Sequence, residues 1–164
     1  MTKQDIQIKE PELCTHPEPF FLVGYPVDGA PELSAAERGA YWQGKQFPPF
    51  DAAEFEKIGA TGAEIGVWTH EGEALTYVFG YVTERIGYVP EAMRAVTIPG
   101  GEFVIFRAPA HQSTEELGEN MRATWRYACE QWLPASAYTV DTERMAFEYY
   151  LGSDAMVYVP VKRK

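Results

Sequence analysis

The sequence predicts an α+β fold of duplicated strand–helix–strand–strand units, related by pseudo-twofold symmetry and enclosing a ligand groove. Three observations carry this reading. Apolar strand-like runs and helical stretches follow the same order twice along 164 residues. Each unit holds a capping box, Ser34-Ala-Ala-Glu37 and Ser113-Thr-Glu-Glu116, with the two serines 79 positions apart. Each predicted helix then stops at proline, at Pro48-Pro49 and at Pro134, because proline cannot continue it. The same offset places Trp68 on Phe147 and Phe79 on Tyr158. Identity between the halves is slight, so the repeat is one of pattern. The length suits a single domain over 1–164, with a lead-in at 1–16, a first repeat at 17–84 and a second at 93–162.

The elements follow in order. P-F-F-L-V-G-Y-P (19–26) reads as a strand closed by Pro26 and the turn residues Asp28-Gly29. The first helix runs from Ser34 through Tyr41 and Trp42. Residues 59–62 read as a glycine loop. E-I-G-V-W-T-H (64–70) and L-T-Y-V-F-G-Y-V (75–82) are strands joined at a short turn containing Gly72. A-V-T-I-P-G-G-E-F-V-I-F (95–106) is a strand whose Pro-Gly-Gly marks a bulge or bend. In the second helix Leu117, Met121, Trp125, Ala128 and Trp132 form an apolar stripe at helical spacing. R-M-A-F-E-Y-Y-L (144–151) and A-M-V-Y-V-P-V (155–161) make a closing hairpin around residues 152–154.

Composition narrows the function. A formal net charge of −10 argues against nucleic acid as a partner, since phosphates demand a basic face. No apolar run resembles a signal peptide or reaches membrane-spanning length. Cys14 and Cys129 imply no disulfide framework, so a reducing cytoplasm is the expected location. His16, His70 and His111 show no metal-ligand spacing, and no phosphate loop, dinucleotide fingerprint or nucleophile elbow is present. Neither a metal nor a cofactor is expected. Aromatic residues make up 14% of the chain, with Tyr the commonest, which suits pockets and interfaces needing a polar handle on an apolar wall.

Glu148 is the residue to explain. It stands in an aromatic strand, where a carboxylate is costly to bury without compensation. Alternation puts Ala146, Glu148 and Tyr150 on one face. If the hairpin closes through three residues, Leu151 pairs with Ala155 and Glu148 faces Tyr158. The residues alone leave open an ordinary solvated acid. They also allow a general acid, because burial raises a carboxyl pKa.

The chain resembles the GyrI-like small-molecule-binding family, the effector-binding domain of AraC-type and MerR-type multidrug regulators that also occurs free-standing. The resemblance rests on P-G-G-E-F-V-I-F (99–106), the helix ending W-R-Y-A-C-E-Q-W-L-P-A-S-A-Y (125–138), F-E-Y-Y (147–150) and V-Y-V-P-V (157–161), in that order. It implies a groove with aromatic walls, an acidic floor at Glu148, and a lipophilic or cationic small molecule as ligand. Carried over, the aromatics are Tyr25, Tyr41, Trp68, Trp125 and Tyr158, beside Tyr150 on the acid's own face. The expected function is a stand-alone drug-binding module that does not contact DNA directly and has a possible protein partner. Two alternatives stay open: a hydrolase of electrophilic aromatics using Glu148 and Tyr158, and an inhibitor of a macromolecule.

Overall fold

The computed structural model describes residues 8–27, 52–71 and 74–164. The expected first helix, with Ser34 and Tyr41, lies outside the described residues. Nine strands are present among those described: β1 (Glu12–His16), β2 (Phe20–Val27), β3 (Ala60–Glu71), β4 (Ala74–Thr83), β5 (Arg94–Ile98), β6 (Gly101–Arg107), β7 (Tyr138–Val140), β8 (Phe147–Leu151) and β9 (Asp154–Arg163). They are joined by a short helix, α1 (Ala52–Ile58), and a long one, α2. α2 begins at Thr114–Tyr127, passes through a π-helical turn at Ala128–Trp132 and ends in Leu133–Ala135. Every strand pairing is antiparallel, in the order β1-β6-β9-β8-β3-β4-β2-β5, with β7 alongside the end of β9.

Chain connectivity forces this sheet to curl. β1 and β2 are six strand spacings apart along the sheet, which is about 29 Å if flat. Residues 17–19 must bridge them, a reach of at most about 14 Å from His16 to Phe20. The link between β5 and β6 is shorter still, residues 99–100. The Pro-Gly-Gly expected to bend one strand therefore separates two strands near opposite ends of the sheet. The hollow of the resulting half-barrel is filled by Phe20, Leu22, Ile65, Val67, Val78, Ile98, Phe103 and Phe147. Phe20 touches Phe103 and Phe147 at ring-centroid distances of 6.1 and 5.1 Å, closing the curl.

Arg144 buttons the closure. Its guanidinium donates to the carbonyls of Glu102 (2.7 Å), Val161 (3.1 Å) and Gly100 (3.4 Å) and to Asp141 Oδ2 (2.9 Å). It also lies 5.0 Å from the Phe103 ring centre. Gly101 (φ 140°) leaves room for it, since a Cβ there would strike the guanidinium.

The other face of the sheet carries α2. Val104, Phe106, Val157, Val159 and Val161 pack against Met121, Ala128 and Leu133. The start of α2 follows its sequence: Ser113 Oγ accepts from the Glu116 amide (3.1 Å), while Glu116 reaches back to the Gln112 amide (3.0 Å). A π-turn adds a residue to one turn of helix. At its end Trp132 packs edge-on to Phe106 at 5.6 Å.

The strand order is symmetric about the β3–β8 seam: β4 and β2 on one side match β9 and β6 on the other. The register gives the offset. The pair Val67↔Val78 of the first hairpin falls 80 positions before Phe147↔Tyr158 of the second. The pair Gly24↔Gly80 falls on Phe103↔Pro160, so β2 and β6 keep the offset of 79. The expected matches of Trp68 with Phe147 and Phe79 with Tyr158 are therefore one residue out: in the hairpins Trp68 corresponds to Glu148. Val67 and Phe147 also pair with each other across the seam, which puts the pseudo-twofold axis between them.

Three further expectations change. The lead-in ends as edge strand β1. The glycine loop at 59–62 is the irregular start of β3, with Gly59 and Gly62 at φ 73° and 100° and a register shift between Ala60 and Glu64. The strand assigned to the second repeat from residue 95 includes β5, which pairs with β2 in the first half.

Candidate functional site

Above the seam, on the helix-bearing face, lies a cavity of about 650 Å³. Its floor is supplied by alternate residues of four strands: Glu64, Gly66 and Trp68 from β3, Tyr77 and Phe79 from β4, Glu148 and Tyr150 from β8, and Ala155 from β9. α2 forms a wall through Thr114, Leu117, Gly118, Met121, Arg122 and Trp125, which recur at helical spacing. Buried Asn120 holds that wall in place by donating to the carbonyls of Pro109 and Ala110, both at 3.2 Å. His111 sits just beyond this anchored turn and borders the cavity, as does Asp154.

Glu148 is half-buried in the floor, and its Oε2 accepts the hydroxyl of Tyr150, two residues along the same face. Burial, then the charge of Glu148, pushes the Tyr150 phenol well above its ordinary value. Tyr150 therefore remains a neutral donor. Burial also raises the Glu64 carboxyl above its ordinary value. Gly66 sits between Glu64 and Trp68 on β3. A Cβ there would strike the Tyr77 hydroxyl, so glycine lets Tyr77 lie over the strand. Trp68 and Tyr77 are 5.2 Å apart between ring centres, and Phe79 and Tyr150 are 5.7 Å apart. The floor thus carries two carboxylates, Glu64 and Glu148, among the rings of Trp68, Tyr77, Phe79 and Tyr150.

The expected partner of Glu148 is corrected. Gly152 (φ 59°) and Ser153 form a two-residue turn, pairing Leu151 with Asp154 rather than Ala155. That one-residue slip sets Glu148 opposite Val157 and Tyr158 opposite Phe147. Tyr158 points into the half-barrel and stacks on Phe147 at 4.8 Å, away from the cavity. A Glu148–Tyr158 pair, on which the hydrolase reading rested, is not formed. Tyr25 is also outside the cavity lining. It pairs with Phe79 on the same face, but it is buried among Val23, Ile58 and Met93, under α1. Trp68, Trp125 and Tyr150 line the cavity with Glu148.

Sequence reasoning missed Glu64, Tyr77, Phe79 and Met121. The signal was present: Glu64 and Gly66 alternate with Trp68, and Tyr77 alternates with Phe79, so each set shares one strand face. Among the described residues no group of His, Cys, Asp and Glu could hold a metal ion. No helix among them is long and apolar enough to cross a membrane.

A curled antiparallel sheet with duplicated topology and an aromatic, acid-floored cavity defines an effector-binding domain of the GyrI-like type. Residues 23–161 match the family model of Cass2, the integron-associated effector binding proteins, and the chain belongs to that family. This membership supports small-molecule binding in general. A search of curated proteins returns no match.

Solved structures share the fold. An integron cassette protein from the mobile metagenome of Vibrio cholerae aligns with a TM-score of 0.60 at 15% identity, over 97% of this chain and 100% of that one. SAV2435, solved bound to tetraphenylphosphonium, aligns at 0.61 and 15% identity over 94% of each chain. A putative transcription regulation protein from Staphylococcus aureus MU50 aligns at 0.61 and 15% identity, over 93% of this chain and 98% of that one.

Proposed function

We propose that this protein binds lipophilic aromatic cations in the cavity over the β3–β8 seam. The observation that carries the reading is Glu148: a half-buried carboxylate on the floor of the cavity, steadied by the Tyr150 hydroxyl and surrounded by Trp68, Tyr77, Phe79 and Trp125. A cation placed there gains Coulomb attraction at an effective dielectric well below that of water. Contact with aromatic faces adds about 0.5–2 kcal/mol. Tetraphenylphosphonium, present in the SAV2435 structure, is a compound of this class. The protein then acts as an effector-binding module in the cytoplasm, holding such compounds or signalling their presence to a protein partner.

Titration with methyltriphenylphosphonium and with neutral triphenylphosphine oxide tests the charge. The cation should quench tryptophan fluorescence and be recovered unchanged. Glu148→Gln should weaken the cation by about tenfold or more, equivalent to about 1.4 kcal/mol, and the neutral compound by less than about twofold. Equal losses for both compounds would rule out the electrostatic role.

A further inference from the structure

The cavity floor carries a second carboxylate. Glu64 pairs with Tyr150, and Gly66 pairs with Glu148, so the two acids are diagonal neighbours on one face of adjacent strands. Such neighbours lie roughly 7–8 Å apart, and somewhat less between Cβ atoms. Both border the cavity. Their surroundings differ: Tyr150 donates its hydroxyl to Glu148, whereas burial dominates at Glu64 and disfavours its charge. An acid held in this state gains more from an arriving cation than a solvated acid does, because the partner offsets lost hydration. Arg122, the positive side chain among the described lining residues, belongs to the α2 wall and is exposed to solvent, and Asp154 adds a third acid at the cavity border.

We propose that the cavity selects dications: compact aromatic ligands with two positive groups roughly 7 Å apart, one held by Glu148 and the other by Glu64. The proposal rests on the reading of the cavity as a cation site. A ligand with one charge satisfies Glu148 and leaves Glu64 desolvated in the floor beside it. A second charge at the diagonal spacing compensates both, with the ring between them against the aromatic walls.

The test compares two compounds of one shape. 1,4-Bis(trimethylammoniomethyl)benzene carries two charges across a para-xylylene spacer. Its isostere has one trimethylammonium nitrogen replaced by carbon, which leaves one charge and a greasier molecule. Calorimetric titration of the full chain should show the dication binding about tenfold tighter or more. Apolar burial alone would favour the isostere, so the sign of the difference is diagnostic. Glu64→Gln should weaken the dication by about tenfold and the isostere by less than about twofold, whereas Glu148→Gln should weaken both. A wild-type protein that binds the isostere as tightly as the dication overturns the proposal without any variant having to fold. So does a dication affinity unchanged in Glu64→Gln. So does a wild type that binds neither compound yet binds methyltriphenylphosphonium through Glu148. In each of those results the single-cation reading stands. Failure of every cation, methyltriphenylphosphonium included, overturns both.

Discussion

On the helix-bearing face of β4 stand Tyr77, Phe79 and Tyr81; 80 positions on, β9 carries Val157, Val159 and Val161. Trp68 on β3 likewise corresponds to Glu148 on β8. The backbone topology of the halves is the same, but the side chains do different work. Valines let α2 settle close to the sheet, and the second half makes a dry layer with Met121, Ala128 and Leu133. In the first half Tyr77 and Phe79 line the cavity between sheet and wall instead. Near-symmetry thus sets where the cavity falls, and the broken symmetry of its residues decides what it can hold.

The largest test of this division is a pair of truncations. Phe106 is fully buried against Tyr127 and Trp132, so Phe106→Ala should cost about 3–5 kcal/mol in denaturant unfolding. Phe79→Ala, from a half-buried ring at the cavity, should cost less than half as much and yet reduce cation affinity. Comparable stability losses would break the comparison.

Next comes the residue 80 positions beyond Glu64, which is Arg144. Arg144→Ala removes charged hydrogen bonds to three carbonyls and should cost about 2–3 kcal/mol by denaturant unfolding. Its hydrogen bond to Asp141 holds that carboxyl below the ordinary value of 3.8. Stability from a lowered acid is present above the ordinary value and is lost as pH falls through the lowered one. Wild type should therefore lose this contribution as pH falls below 3.8, and Arg144→Ala should show a flatter acid limb.

Gly66→Ala sharpens the comparison at the floor. The added methyl displaces Tyr77, with a stability cost of about 1–3 kcal/mol and weaker binding of triphenylphosphonium ions, both read by titration.

The smallest effect is expected at Glu64. Burial raises its folded pKa above the ordinary 4.5, so the native state retains the proton more strongly than the unfolded chain. Its stabilising contribution is complete below 4.5 and is lost as pH rises through the raised value. Glu64→Gln should match wild type in acid and be the more stable protein at neutral pH. A pH-independent difference in melting temperature would contradict this.

Much of this arrangement is legible in the sequence. Capping residues, a stripe at helical spacing and alternating strands located α2, β3, β4, β8 and β9, because each pattern has a local cause. Glu148 was visible because one acid in an aromatic strand needs a reason to be there. What failed were quantities that depend on counting. Gly152-Ser153 fits a two-residue turn, in which glycine supplies the positive φ, and reading three residues moved Tyr158 to the wrong face. β1, and the pairing of β5 with β2, were hidden for a different reason. Short edge strands get their partners from a curl that brings distant segments together, and no local pattern encodes it. Tyr25 has the same alternation as a cavity residue; only the packing of Ile58 over it removes it from the site.

The seam joins the halves through Glu64–Val67 against Phe147–Tyr150, and alternate residues of it, Glu64, Gly66, Glu148 and Tyr150, pave the floor. A floor that is also a joint cannot spread for a bulkier guest without parting the two halves of the molecule. Among the described residues the α2 wall can give instead, where the long, unbranched side chain of Met121 and the half-buried Trp125 and Leu117 can change rotamer. On the proposed reading, breadth of ligand shape belongs to a replaceable helix face, while preference for charge belongs to the joint. The two properties could be altered separately, one by substitutions in the wall and the other at the two acids of the floor.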